Sequence, residues 1–316
     1  DFDEQGNLWV SNSFTDSPLS VMTSDGEWKS FYCGNQASNN LCTDLLVDDE
    51  LGYIWMILKG TGILVYDFNK TPLDDSDDQY KIIGTGEGAG SLPSSFVNCL
   101  EIDYDGEVWI GTDKGPAVFY NPSSIFNETT FDAQKILIDT AGILQYLLEN
   151  EAITDILVDG ANKKWIATYG GGLFLMSEDA TQTVLSFSST NSPLFSDNIT
   201  SLAINNESGE LFIGTDKGVL GYRSKATSPA FNFQELEVFP NPVKPDYNGV
   251  IAVKGMMNNS EVKITNSNGI LIKTVFSNGG QAVCGAHQPN DETDDHRHCL
   301  NCHWVCLSVL QHHGSL

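Results

Sequence analysis

Apolar and polar positions alternate in short runs over the first 224 residues, and one phrase of that pattern returns five times. It reads DFDEQGNLWVSN from Asp1, LLVDDELGYIWMILKGTGILVYD from Leu45, CLEIDYDGEVWIGTDKGPAVFYNP from Cys99, DILVDGANKKWIATYGGGLFLMSED from Asp155 and SLAINNESGELFIGTDKGVLGYRS from Ser201. The anchor positions Trp9, Trp55, Trp109, Trp165 and Phe212 are separated by 46, 54, 56 and 47 residues. The hexapeptide Ile-Gly-Thr-Asp-Lys-Gly recurs unchanged at 110–115 and 213–218.

Each phrase predicts strand, tight turn, strand, turn, strand. In the third, Leu100, Ile102 and Tyr104 alternate with polar residues, Asp105-Gly106 suits a hairpin, and Val108, Trp109 and Ile110 resume an apolar strand. A lead-in of the form Leu-x-Ser-x-x-Ile/Val, at Leu92 to Val97 and Leu194 to Ile199, suits the innermost strand. Four antiparallel strands in about 45–55 residues make one propeller blade. The expected fold is therefore all-β: a partial β-propeller over 1–224, about four to five blades of a ring that most often has seven. A complete ring of five is the less favoured option.

After Arg223 the pattern stops. Residues 225–235 read as a linker, and 236–283 hold short alternating strands at Val250 to Val253, Val262 to Thr265 and Ile270 to Val275, with Asn268-Gly269 as a hairpin turn. This predicts a small β-sandwich, cut short before a Cys/His-rich tail at 284–316. The chain opens at Asp1 with neither Met nor a signal peptide, which predicts a processed start or a fragment.

Composition narrows the chemistry. Of the 316 residues 42 are acidic and 16 are Lys or Arg, giving −26, so a phosphate-neutralising nucleic-acid surface is excluded. Residues 1–283 contain no histidine and one arginine, Arg223. They therefore lack the means for a Ser/His/Asp triad, a Cys/His pair, a His-ligated metal or an arginine clamp. Cys33 and Cys42 are close enough in sequence to pair in an oxidising compartment, and that pairing stays open. The most apolar stretch, Leu51 to Phe68, is broken by Lys59, Gly60, Gly62 and Asp67, so no membrane span is expected.

Candidate sites are few. Asp1-Phe2-Asp3 with Gly6, Asp48-Asp49-Glu50 and Asp103-Tyr104-Asp105-Gly106 resemble the start of calcium loops, but each lacks the distal glutamate; hairpin turns capped by Asp are the preferred reading. A divalent cation such as calcium stays as an option, with no other cofactor expected. Thr112, Asp113 and Lys114, with Thr215, Asp216 and Lys217, sit on turns and are ligand-binding candidates. The repeated tryptophans suit packing between blades better than stacking on sugars. In the tail, His298, Cys299, Cys302, His303 and Cys306 offer a zinc set containing a C-x-x-C pair. A frame slip near residue 284 is the preferred alternative, since composition changes abruptly there and no strand or helix periodicity follows.

Two resemblances then bear on function. Asp105-Gly106-Glu107-Val108-Trp109-Ile110-Gly111-Thr112 resembles the D-G-x-[LV]-W-I-G-T core of the two-component-regulator type propeller repeat. Phe212 in place of Trp, and Gly160-Ala161-Asn162-Lys163 in place of an Asp-Gly turn, depart from it. Val238-Phe239-Pro240-Asn241-Pro242, with Val262-Lys263-Ile264-Thr265 and Asn268-Gly269, resembles the C-terminal sorting domain of type IX secretion, found in the Bacteroidetes. That resemblance makes Pro240, Asn241, Pro242, Lys263, Asn268 and Gly269 the sorting signal and implies export across the outer membrane to the cell surface. A propeller joined to such a domain is similar to surface components of the type IX machinery. The similarity implies binding without catalysis, with the sortase and other secretion components and an anionic lipopolysaccharide as partners. The alternatives are a sensory ectodomain built from the same repeat and a secreted polysaccharide-active enzyme relying on Asp, Glu and Tyr.

Overall fold

A computed structural model describes residues 1–140, 142–230, 236–241, 249–265, 268, 270–285 and 306–310. By contacts the chain divides into two compact units. One takes 1–158, 163–203 and 213–220; the other takes 159–162, 204–212 and the chain from 221 on.

The five phrases form five antiparallel sheets. The first is β1 (Leu8–Ser11), β2 (Leu19–Met22) and β3 (Trp28–Phe31). The second is β4 (Cys42–Asp48), β5 (Tyr53–Leu58), β6 (Gly62–Asp67) and β7 (Gln79–Ile83), and the third is β8 (Val97–Ile102), β9 (Val108–Thr112) and β10 (Gly115–Phe119). A single-turn helix α1 (Ser124–Asn127) and a hairpin of β11 (Leu137–Thr140) and β12 (Ile143–Tyr146) follow. The fourth sheet is β13 (Ile153–Val158), β14 (Lys164–Thr168), β15 (Leu173–Met176) and β16 (Thr183–Phe187), and the fifth is β17 (Ile199–Asn205), β18 (Glu210–Thr215) and β19 (Gly218–Arg223). Each runs in sequence order, as a meander with short turns must.

Four strands per blade hold only in the second and fourth sheets. In the third, Val118 and Gln134 exchange backbone hydrogen bonds where a fourth strand would begin, and the chain then leaves for the β11–β12 hairpin. The tryptophan strands set the packing. Trp9 clusters with Ile54, Met56 and Leu64 of the second sheet, Trp55 with Val108, Ile110 and Ala117 of the third, and Trp109 with Ile153, Ile166 and Met176 of the fourth. Each indole is at most 1% exposed. Such a ring removes on the order of 200 Å² from water, an upper-bound gain of roughly 5 kcal/mol at about 25 cal/mol per Å². This face-to-face succession of sheets is a β-propeller, and among the described residues the chain is all-β apart from one helical turn.

The second unit holds two three-stranded sheets. β20 (Glu237–Phe239), β21 (Val250–Lys254) and, later in the chain, β24 (Gln281–Gly285) make one; β22 (Glu261–Thr265), β23 (Leu271–Phe276) and β25 (Cys306–Leu310) make the other. Val253, Met256, Val262, Ile264, Ala282 and Cys284 form the apolar core. The expectation that no strand pattern continues past residue 284 is corrected by β25, which pairs with β22 from Thr265↔Cys306 to Glu261↔Leu310. Cys33, Cys42 and Cys99 are buried free thiols, so Cys33 and Cys42 are not joined.

Candidate functional site

Two kinds of turn bound the tryptophan strand of each sheet, and they lie at opposite edges because the strands are antiparallel. At the turn before the strand, Asp3 Oδ1 accepts the N–H groups of Gln5 and Asn7, while Oδ2 accepts the Trp9 indole at 3.0 Å. Asp103 repeats this: Oδ1 takes the N–H groups of Asp105 and Glu107, and Oδ2 takes Trp109 Nε1 at 3.0 Å. Both carboxylates are occupied by their own hairpins, as the preferred turn reading required. In the second sheet Asp48 stands seven residues before its tryptophan instead of six. Its Oδ1 accepts the N–H of Leu51, and the buried Trp55 Nε1 has no partner. Asp1 Oδ2 is likewise used, by the N–H of Val47. Among the described residues no group of three or more His, Cys, Asp or Glu side chains could hold a metal ion.

Lys164 joins two sheets at this edge. Its ammonium reaches Asp103 Oδ2 at 2.8 Å with both side chains fully buried, donates to the Glu178 carbonyl, and lies 4.9 Å from the Trp109 ring centre. Beside it, burial and then the Asp103 charge push Glu107 up to about 7, against the pull of Lys164. A groove of about 300 Å³ opens nearby, lined by Asp48, Asp49, Glu50, Glu101, Asp103 and Tyr104.

The ligand candidates occupy the opposite edge, in the turn after the tryptophan strand of the third and fifth sheets. The structure does not bring the two triplets together as neighbours, since the fourth sheet stands between them. Thr112 Oγ1 donates to the Gly115 carbonyl and accepts the Lys114 N–H; Thr215 does the same with Gly218 and Lys217. Those hydroxyls close turns. Asp216 accepts Asn198 Nδ2 at 3.1 Å, and hydrogen bonds from Ser196 and then Asn198 hold its carboxyl below the usual range. Asp113 Oδ1 is buried without a partner. Lys114 and Lys217 are the two members with exposed side chains that no hydrogen bond occupies.

The sequence placed the repeated tryptophans in the packing between blades and singled out no exposed aromatics. The tryptophans are core, whereas Phe14, Phe96, Tyr169 and Phe195 stand 69%, 50%, 62% and 53% exposed in turns and lead-ins at the edge that carries Lys114 and Lys217. The signal was the lead-in itself: Phe96 and Phe195 fall inside the two Leu-x-Ser segments, where neither alternation nor turn chemistry calls for a large apolar side chain. The fourth sheet also has a turn-closing threonine, Thr168, donating to Gly172, which Tyr-Gly-Gly disguised in the sequence.

In the second unit Pro240 and Asn241 follow β20, Lys263 lies in β22 with its ammonium 3.5 Å from Glu261, and Asn268 lies in the turn towards β23. Pro242, Gly269, His298, Cys299, Cys302 and His303 lie outside the described residues, and Cys306 begins β25.

Comparison with known proteins places these features. Residues 91–114 match the family model of the two component regulator propeller. No curated protein matches the chain. PorZ, an essential bacterial surface component of the type-IX secretion system of Porphyromonas gingivalis, superposes with a TM-score of 0.65 at 28% identity, over 91% of this chain and 40% of PorZ. The extracellular domain assigned to a hybrid two component system of B. thetaiotaomicron superposes at 0.50 with 20% identity, over 89% of this chain and 38% of that one. The chain thus spans about 40% of the length of these two solved chains. Its fold is that of a β-propeller, one stretch of it matches the two component regulator propeller model, and it is similar to PorZ and, in fold, to that extracellular domain. Among the described residues no helix is long and apolar enough to cross a membrane.

Proposed function

We propose that this chain belongs to a PorZ-like surface component of the type IX secretion system and works by binding, not by catalysis. The carrying observation is the 28% identity with PorZ sustained over 91% of the chain. In this reading residues 1–224 are the part of a longer propeller that presents loops to partners, 225–235 link it onward, and 236–283 are the sorting domain that addresses the protein across the outer membrane. The edge with Lys114, Lys217, Phe14, Phe96, Tyr169 and Phe195 holds the ligand, an anionic lipopolysaccharide. Two exposed ammonium groups supply local positive charge in a protein of −26, and the aromatic rings supply apolar contact.

The test is recovery of the tagged protein from cells competent for type IX secretion. Co-purification of the sortase, with 236–283 retained and lipopolysaccharide bound in a Lys114-dependent and Lys217-dependent manner, supports the reading. Release into the medium as cleaved cargo sinks it. A second reading, a sensory ectodomain, draws on the regulator-propeller match at 91–114. It predicts a membrane-bound kinase on the same polypeptide and no sortase in the complex.

A further inference from the structure

The first strands β4, β8, β13 and β17 line the inner edge of four successive sheets, and their acids have no part in the binding reading. A register break recurs at the same point in three of them, between Cys42 and Leu45, Val97 and Cys99, and Ile153 and Asp155. Such a bulge re-aims the side chains beside it. Glu101 Oε1 accepts the N–H of Val158 at 3.2 Å, and Asp155 Oδ2 accepts the N–H of Leu202 at 2.7 Å. Each carboxylate therefore reaches from its own first strand to the first strand of the next sheet.

The charged surroundings are one-sided. Glu101 faces Asp155 on β13 and Asp44 on β4 and lines one groove with Asp48, Asp49, Glu50 and Asp103, and Asp155 faces Asp44. The thiol of Cys99 lies among all three. β5 (Tyr-Ile-Trp-Met-Ile-Leu), β9 (Val-Trp-Ile-Gly-Thr) and β17 (Ile-Thr-Ser-Leu-Ala-Ile-Asn) bring no charged side chain. Lys164 of β14 is committed to Asp103, and the N-terminal amine acts on Asp44 alone among these acids.

We propose that Glu101 and Asp155 form a proton-operated clasp, drawing the third, fourth and fifth sheets together as the medium acidifies and loosening them as it turns alkaline. Burial, reinforced by the neighbouring carboxylates, pushes Glu101 up to about 7 and Asp155 up to about 6, against the pull of the N–H groups they accept. Both stand above the unfolded values of about 4.3 and 3.9. The folded chain then holds more protons than the unfolded one from about pH 4 to about pH 7, so this contribution to stability is complete below that window and is lost as pH rises through it. A protonated carboxyl keeps its carbonyl oxygen as acceptor, so the bond across the seam survives while the repulsion goes.

The test is the urea midpoint of the intact chain between about pH 5.5 and 8.5, compared with Glu101→Gln, Asp155→Asn and the double variant. The parent midpoint should rise on acidification. The double variant keeps both acceptors without charge, so it should begin higher at alkaline pH and give a flatter profile. A parent midpoint that is flat or falls on acidification, or a double variant with the parental slope, overturns the clasp. Should the double variant not fold, carboxyl carbon NMR of the parent decides: a Glu101 signal titrating near neutrality supports the proposal, and one titrating near its ordinary value of about 4.3 rejects it.

Discussion

The third and fifth sheets carry the same hexapeptide, Ile-Gly-Thr-Asp-Lys-Gly, in two different environments. At 110–115 Ile110, Gly111, Thr112 and Gly115 are buried; at 213–218 only Ile213 is. Gly115 donates its N–H to Glu151, from the segment that covers this turn, whereas Gly218 has the exposed ring of Phe195 beside it. On β9 every residue is buried, while on β18 burial alternates, with Leu211 and Ile213 inside and Phe212 42% exposed. Identical sequence thus makes a sheet packed on both faces in one place and on one face in the other. The turn-closing threonine bond is local and survives in both; burial depends on what lies alongside.

That comparison can be broken most forcefully at Lys164. Lys164→Ala leaves Asp103 buried without its cation and should cost about 3–5 kcal/mol in urea denaturation. On the fifth sheet Glu210 is exposed, and Glu210→Ala there should stay within about 0.5 kcal/mol. A Lys164→Ala loss below about 1 kcal/mol would show that Asp103 is served by its hairpin alone.

Next come the glycines. A side chain at Gly111 collides with Cys99 Sγ and Ile153, so Gly111→Ala should cost about 1–3 kcal/mol by overpacking. At Gly214 the new methyl meets the Ser201 hydroxyl at 2.6 Å, a small group on an exposed strand, and the loss should be smaller. Equal melting temperatures for the two variants would contradict the contrast in packing.

Smaller still is the indole exchange. Trp109→Phe removes the donor to Asp103 Oδ2 and should cost about 1–3 kcal/mol; Phe212→Trp, with Asn205 seven residues before it and no carboxylate to meet, should change stability by less than about 0.5 kcal/mol. The least effect on stability is expected at Lys114→Ala and Lys217→Ala, both exposed. Their thermal midpoints should match the parent while binding to anionic glycan falls, which isothermal titration would read.

Much of this was legible in the chain. The five anchors, the Asp-Gly hairpins and the alternation located the strands because those signals are local and set by backbone sterics and burial period. Less legible were the missing fourth strand of the third sheet, the exposed aromatics of the lead-ins, and the strand at Cys306–Leu310. Each depends on a partner distant in sequence: Gln134 meeting Val118, Phe96 left uncovered, β25 meeting β22.

By itself, then, the sequence determined an acidic, repeated, all-β chain whose first 283 residues lack histidine, since composition and period are properties of the chain alone. The tertiary structure decided which tryptophans and threonines were structural, that Lys164 neutralises Asp103, and that Glu101 and Asp155 reach across seams between sheets. Those outcomes depend on burial and on donors supplied by a neighbouring sheet, and a side chain acquires neither until the sheets have packed.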